Sequence, residues 1–408
     1  MTSLKTNQNF RWLLRGALVS NLGDQLTIVA LPLLVLQLTG DPLALGGVIA
    51  LMGIPRAVFL LLGGAIVDRM SPRRVLMASK LANAMLLAML ALAATDADMR
   101  VIDVLAFALG LAQAFGIPAG TALMPAALPA ALLEAANGAL MGLRQVAMLA
   151  GPLLAALLFG MARHGLALAF AIDCASFIVS AWTLSKVAST PVARAAPQRL
   201  WRDVGAGLAL VWNDLPMRLC FGYWAVVMLC IGGAMQVALP LLASTRFNGG
   251  TTLGWFLGAN GAGMLLGMAA AALLGKHLTG MRFGTMILLV DAAAGVLVAA
   301  LGSGSHAWVV AALLLGIGAL SGFLQITVYT WIQRRVPPAM MGRAMSIFMF
   351  IFMGLAPLSA VGAGALLTWI ALPTLFLGGG LLLVALAAAA WLYTPMRHIA
   401  ANAARSAG

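Results

Sequence analysis

Charged side chains are scarce in this sequence: Asp, Glu, Lys and Arg together make up 9% of 408 residues. Ordinary soluble domains carry about 25%. With 63% of the chain hydrophobic, there is too little polar surface to cover a water-facing core. The chain therefore reads as an integral membrane protein with lipids as its immediate partners. Acids are the rarer sign, 11 against 24 Lys and Arg, a net charge of +13. Nucleic-acid binding would need a basic patch or a recognised binding fold. Here the bases fall between apolar segments, so no nucleic-acid partner is expected. Cysteine is limited to Cys174, Cys220 and Cys230, with no CxxC or metal-ligand spacing. All three lie in or beside apolar segments and read as small packing residues. There is no G-x-x-x-x-G-K-[ST] loop, which excludes direct driving by ATP, and no H-E-x-x-H. The lone Leu-Gly-Asp at 22–24 lacks the second aspartate of a membrane aspartyl protease. Neither a repeated pore motif nor a ring of like charge marks a channel. No enzyme activity, cofactor or metal is expected.

Long apolar runs are what the chain does have. A spanning helix needs about 20 mostly apolar residues. Breaks at charges and Gly/Pro turns give twelve such segments, roughly 12–38, 43–67, 75–95, 101–122, 135–160, 165–186, 217–242, 251–274, 284–302, 307–331, 341–368 and 372–393. The opening MTSLKTNQNFRWLLRG runs directly into the first of them, so an uncleaved first helix is expected. With both termini cytoplasmic, nineteen of the 24 Lys and Arg fall in or next to inner loops and tails, Lys80 among them. Arg100, Arg163 and Arg246 fall outside, and Arg56 and Arg144 are left within spans. That asymmetry places both termini on the cytoplasmic side, and the cell's inner (cytoplasmic) membrane is the expected location.

The expected architecture is all-α: twelve transmembrane helices in two pseudo-symmetric six-helix halves, residues 1–186 and 217–395. A cytoplasmic linker at 187–216 and a tail at 396–408 complete it. Within the linker, Trp201, Val204, Leu208, Val211 and Trp212 recur at helical spacing, which suits a short helix lying in the membrane interface. The halves show as an internal repeat. ALPLL at 30–34 returns at 238–242, and the Gly-Pro at 151–152 aligns with the Ala-Pro at 356–357. Parallel repeats of this kind occur in secondary transporters, whose substrate site lies between them.

The loop after the second span reads GGAIVDRMSPRRV, residues 63–75. It resembles the G-x-L-a-D-R-x-G-R-R signature of the major facilitator superfamily. Gly64, Asp68, Arg69, Arg73 and Arg74 match, while Ser71 stands where the usual glycine would be and Pro72 follows it. The stretch FGIPAGTALMPAALPAALLEAANGAL at 115–140 and the opening NFRWLLRGALVSNLGDQL resemble the superfamily's siderophore- and macrolide-exporter branch. The resemblance covers roughly residues 10–395 and implies the transporter fold, with efflux of a small molecule; a monomer is expected. Asp68 would meet the N-terminus of span 11 near Arg343 in one transport state, where a helix dipole favours an anion. The plainer reading is a basic cytoplasmic turn that fixes topology.

One polar knot interrupts the first span. In SNLGDQLTIV, residues 20–29, Asn21, Asp24 and Gln25 share one helix face. A carboxylate near the bilayer centre costs roughly 2.5–3.5 kcal/mol on insertion scales. Asp24 lies about 18 Å from the start of its span, and Arg56 lies about 18 Å from the inner end of the second. Matching depth on adjacent helices makes them candidate partners, with Pro55 bending the helix to aim Arg56. Either the pair is a permanent clamp or Asp24 exchanges its proton or its partner during transport, with protons as coupling ion. Gln113, Arg144, Gln236, Gln325 and Tyr329 are further candidates to line a polyspecific cavity. Glu134 and Asn137 read as loop or cap residues before span 5, and Asp173 and Asp291 have no evident partner. Three functions fit: a proton-coupled exporter of hydrophobic or amphiphilic molecules of drug, macrolide or siderophore type; a mover of lysophospholipids that uses Arg56 and Arg144 on the headgroup; or a transporter-like receptor that moves nothing.

Overall fold

The computed structural model describes residues 4–69, 71–94, 98–161, 164–188, 200–274, 282–337 and 340–400, the side chains of residues 5, 60–69, 200–204 and 274 excepted. In hydrocarbon, backbone polar groups have to be satisfied within their own segment, so apolar runs of this length fold as helices. Among the described residues no strand occurs, and twelve helical segments are long and apolar enough to cross a membrane. The first six are α1 (Gln8–Thr39), α2 (Pro42–Arg69), α3 (Pro72–Ala93), α4 (Met99–Ala127), α5 (Ala130–Met161) and α6 (Gly165–Ser185). A shorter α7 (Leu200–Asn213) follows. The seventh span is composite: α8 (Leu215–Val227), one π turn (Met228–Gly232) and α9 (Ala234–Arg246). Then come α10 (Gly250–Leu274), α11 (Phe283–Leu301) and α12 (Ala307–Arg335). The eleventh span breaks into α13 (Met341–Gly354) and α14 (Ala356–Leu366), and α15 (Leu372–Tyr393) is the last.

Several ends differ from the sequence reading for local reasons. α1 starts at Gln8 because the Asn7 side chain accepts from Phe10 N–H at 3.0 Å and caps the helix. α5 begins at Ala130, which places Glu134 and Asn137 on the exposed face of the helix and not in the loop before it. The eleventh span divides at Leu355 because Pro357 has no N–H to donate into the preceding turn. Gly40 after α1 and Gly249 after α9 both take up left-handed backbone, with φ of 64° and 56°. The internal repeat extends to these turns, since only glycine adopts that conformation freely.

The chain divides into two compact units, residues 1–200 with 243–258 and residues 201–242 with 259–408. Residues 243–258 join the first unit because Gly254 lets α10 lie directly on Pro152 and Ala156 of α5. In the first unit α1 packs against α5 and α6, α2 against α4, and α3 against α4 and α6. In the second, α11 packs against α12 and α15, and the π turn lies against α14, where Gly233 admits the Ala356 carbonyl. The helix expected in the linker is α7. It rests through Gly207 on Arg343 and Ile347 of α13, and Leu208 and Trp212 are exposed. Arg335 binds both oxygens of Asp214 through Nε, at 3.0 and 2.8 Å, and Asp214 in turn caps α8 by accepting from Met217 N–H.

Candidate functional site

The polar face of α1 is built from small residues. Gly16, Ser20, Gly23 and Thr27 follow one another at steps of four, three and four, which keeps them on one stripe. α6 answers with Asp173, Ser176, Ser180 and Thr183 at steps of three, four and three. The stripes meet antiparallel. A Cβ at Gly16 would overlap the Thr183 hydroxyl, and one at Gly23 would overlap the Asp173 carboxyl and the Ser176 hydroxyl. This close approach brings Thr27 Oγ1 to 2.5 Å from Asp173 Oδ2, to which it donates. Asp173 is 1% exposed, so its charge or its proton has to be answered by the protein itself.

Asp24 flanks that stripe, half-buried. Its electrostatic neighbours are Lys80 on α3, Arg56 on α2 and Arg144 on α5. Arg56 donates through Nη1 to Gln113 Oε1 on α4 at 3.2 Å. Among the described residues no contact ion pair joins it to Asp24. The structure thus brings Asp24 and Arg56 within electrostatic reach, with Gln113 as the arginine's hydrogen-bond partner. Lys80, counted by sequence among the residues in or next to the inner loops, stands in the third turn of α3, eight residues past Pro72. Its ammonium lies 3.4 Å from Ser20 Oγ and 5.3 Å from the centre of the Phe177 ring.

The remaining candidates divide between the units. Asn21 spends its amide on the Ala17 carbonyl of its own helix at 2.7 Å. Gln25 packs on α5, where Gly151 leaves room for its side chain. Arg144 is exposed on α5. In the second unit Gln236 is exposed, and Gln325 has a buried Oε1 with no hydrogen-bond partner. Tyr329 meets Phe348 edge-on at 5.4 Å within an aromatic cluster that includes Phe221, Trp224 and Phe352. Asp291 on α11 faces the Tyr223 hydroxyl of α8 as its electrostatic neighbour, short of full hydrogen-bond geometry. Of the loop motif, Gly64, Asp68 and Arg69 fall at the end of α2, where the side chains lie outside the described residues. Arg74 is exposed, while Arg73 donates to the Ser185 carbonyl at 2.6 Å and ties the start of α3 to the end of α6. Arg343, in the second unit, donates to Met340 Sδ at 3.0 Å.

Sequence reasoning missed Lys80 and Asp173 as members of the Asp24 cluster. A signal was present, because Asp173, Ser176, Ser180 and Thr183 form a one-faced polar stripe on a span with no other charge. What the spacing lacks is the identity of the helix that meets it.

Among the described residues, twelve apolar helices with ionisable groups embedded among them define a polytopic helical membrane protein. The chain belongs to the Major Facilitator Superfamily, whose sequence profile matches residues 13–360. It is 31% identical over 294 residues to the multidrug efflux pump Tap of Mycolicibacterium fortuitum, a match covering 68% of this chain and 69% of that protein. It is 27% identical over 373 residues to the uncharacterized MFS-type transporter y4rN of Sinorhizobium fredii, covering 87% and 88%. The fold is also that of the nucleoside transporter NupG, with a TM-score of 0.75 at 14% identity over 93% of this chain and 98% of that one. A bacterial homologue of the iron transporter ferroportin, in its inward-facing state, gives a TM-score of 0.72 at 17% identity over 95% and 99%. At these identities the solved structures speak for the fold alone.

Proposed function

We propose that this transporter exports hydrophobic or amphiphilic small molecules of drug, macrolide or siderophore type in exchange for protons. It would work by alternating access in the cell's inner membrane, with both termini in the cytoplasm. One observation carries the reading: Asp24 sits within a span among Lys80, Arg56 and Arg144, yet among the described residues no contact ion pair holds it. A carboxylate locked to one arginine is a structural clamp. A carboxylate balanced among several cations is free to take up a proton and release its neighbours, which is the elementary act of proton exchange. The likeness to a protein named as a multidrug efflux pump supports the direction of transport and the kind of cargo.

The geometry divides the work. Arg56, held by Gln113, keeps a positive field on Asp24 without quenching it. Gln25, Arg144, Gln236, Gln325 and Tyr329 supply scattered polar contacts on apolar helices, suited to cargo recognised more by surface than by a fixed hydrogen-bond pattern. The residues of the 63–75 loop would favour one transport state over the other.

The test uses inverted membrane vesicles with an imposed pH gradient. Adding a transported macrolide or lipophilic cation should dissipate the gradient in the wild type. Asp24→Asn should reach the membrane in equal amount and leave the gradient intact. Wild-type activity in that variant would sink the coupling role. A parallel thermal-shift panel of macrolides, lipophilic cations, siderophores and lysophospholipids should show stabilisation by one of the first three classes. Stabilisation by lysophospholipids alone would replace drug export with lipid movement.

A further inference from the structure

The Asp24 cluster contains a second carboxyl that simple coupling through Asp24 leaves without a role. Asp173 is as thoroughly buried as any polar residue described, at 1% exposure, and sits in a cradle made for it. Thr27 donates to Oδ2 at 2.5 Å. Ser176 Oγ lies 2.9 Å from Oδ1 and 2.7 Å from the main-chain carbonyl of Asp173 itself. Ser176 has one hydroxyl proton for these two oxygens. When the proton goes to the nearer main-chain carbonyl, a common bond for serine in a helix, Oδ1 faces a hydroxyl lone pair. That contact is favourable only when Oδ1 carries a proton of its own. The hydrogen-bond pattern is then complete: Oδ1–H donates to Ser176, and the C=O at Oδ2 accepts from Thr27. Gly23 is what permits it, since a side chain there would displace both Asp173 and Ser176.

The groups facing Asp173 from the packed elements are Asp24 on α1 and Lys80 on α3. Lys80 is also the neighbour of Asp24, and among the described residues it forms a contact ion pair with neither carboxyl. Arg56 and Arg144 face Asp24, whereas Lys80 alone of these cations also faces Asp173, and the charge of each acid disfavours ionisation of the other. We propose that Asp173 is a second proton-carrying group of the transport site: it holds a proton when Asp24 is ionised and gives it up when Asp24 is protonated, with Lys80 neutralising whichever carboxyl is charged. The proton leaving Asp173 Oδ1 is taken up by Asp24, Lys80 stays an ammonium ion throughout, and no other reactant is needed. This rests on the proton-exchange reading of Asp24 and adds a store from which the exchanged proton comes.

Infrared difference spectroscopy on the purified, reconstituted transporter tests it, because a protonated carboxyl has a C=O stretch that a carboxylate lacks. The wild type at neutral pH should show such a band from a buried, exchange-protected group. Asp173→Asn should abolish it. Thr27→Val, which keeps the shape of the side chain and removes the donor to Oδ2, should retain the band and move it to higher wavenumber. In Asp24→Asn, Lys80 has only Asp173 to neutralise, so the band should weaken at the same pH. A band that survives Asp173→Asn, one indifferent to Asp24→Asn, or no band in the wild type overturns the proposal, and Thr27→Val decides the assignment should Asp173→Asn fail to fold. The vesicle assay separates the two ideas: drug movement indifferent to the proton gradient removes proton exchange even where the band behaves as described. A gradient-driven wild type with no such band removes Asp173 alone.

Discussion

At the scale of single residues, function here depends on what small side chains leave open. Gly23 has no turn to make; its value is that Asp173 and Ser176 occupy the place its Cβ would take. Overpacking a close contact costs about 1–3 kcal/mol. Gly23→Ala should therefore lower the melting temperature of the detergent-solubilised protein and reduce transport. Gly138→Ala, at an exposed α5 position where an added Cβ meets nothing, serves as the control and should leave both unchanged or gain slightly in stability. Equal melting temperatures for the two variants would show that the α1–α6 approach is looser than described. The same scale shows how far sequence reaches into the site. Asp24 was legible because a carboxylate in an apolar run stands out in one dimension. Lys80 was not, because a lysine five residues into the apolar segment at 75–95 reads as one that reaches back to the inner surface, and only the packing of α3 shows it turned toward Ser20 and Phe177.

At the scale of elements, glycine again sets the distances, now in reciprocal pairs. Gly263 and Gly267 of α10 admit the carbonyls of Leu315 and Ala319, while Gly318 and Gly322 of α12 admit those of Asn260 and Met264. Each helix carries a G-x-x-x-G and receives the other's backbone, the small-residue packing that holds helices together where lipid offers no hydrophobic drive. Asn260 adds a hydrogen bond from Nδ2 to the Leu314 carbonyl at 3.2 Å. Gly318→Leu, which puts a branched side chain against the Asn260 backbone, should destabilise the second unit by at least the roughly 1–3 kcal/mol of an overpacked core. Limited proteolysis on a temperature ramp would read this as earlier cleavage, and an unchanged cleavage temperature would refute the pairing. The glycine-rich character of α10 was plain in the sequence. Its partner was not, because G-x-x-x-G says that some backbone comes close without saying which.

At the scale of the whole molecule, orientation is the property on which every transport argument depends. We propose from the distribution of Lys and Arg that both termini lie in the cytoplasm. Single cysteines at Ser71, in the loop after α2, and at Asn248, exposed in the turn before α10, sit on opposite sides in that topology. In a background lacking the three native cysteines, an impermeant maleimide should label Asn248→Cys in intact cells. Ser71→Cys should react only after permeabilisation, and the reverse pattern would invert the export direction. Among the described residues, the break of α13 and α14 at Leu355 and the π turn at Met228–Gly232 are the two departures from regular α-helix within spans. Both interrupt the backbone ladder at a place where helices bend.

The sequence by itself determined the membrane location, the number of spans, their order in two repeats and the presence of an embedded acid. The repeats show as self-similarity; the rest follows from the cost of burying charge or leaving backbone unbonded in hydrocarbon, which acts locally and is therefore visible in a linear string. The partners of that acid were decided only by tertiary structure. Asp24 and Arg56 lie at matching depth by counting, yet the arginine bonds Gln113. The cluster around Asp24 is completed by Lys80, while Asp173, 149 residues from Asp24 in the chain, is held by Thr27 and Ser176. Helical periodicity tells which residues share a face of one helix. Which face meets which is settled by how closely glycines allow two backbones to approach.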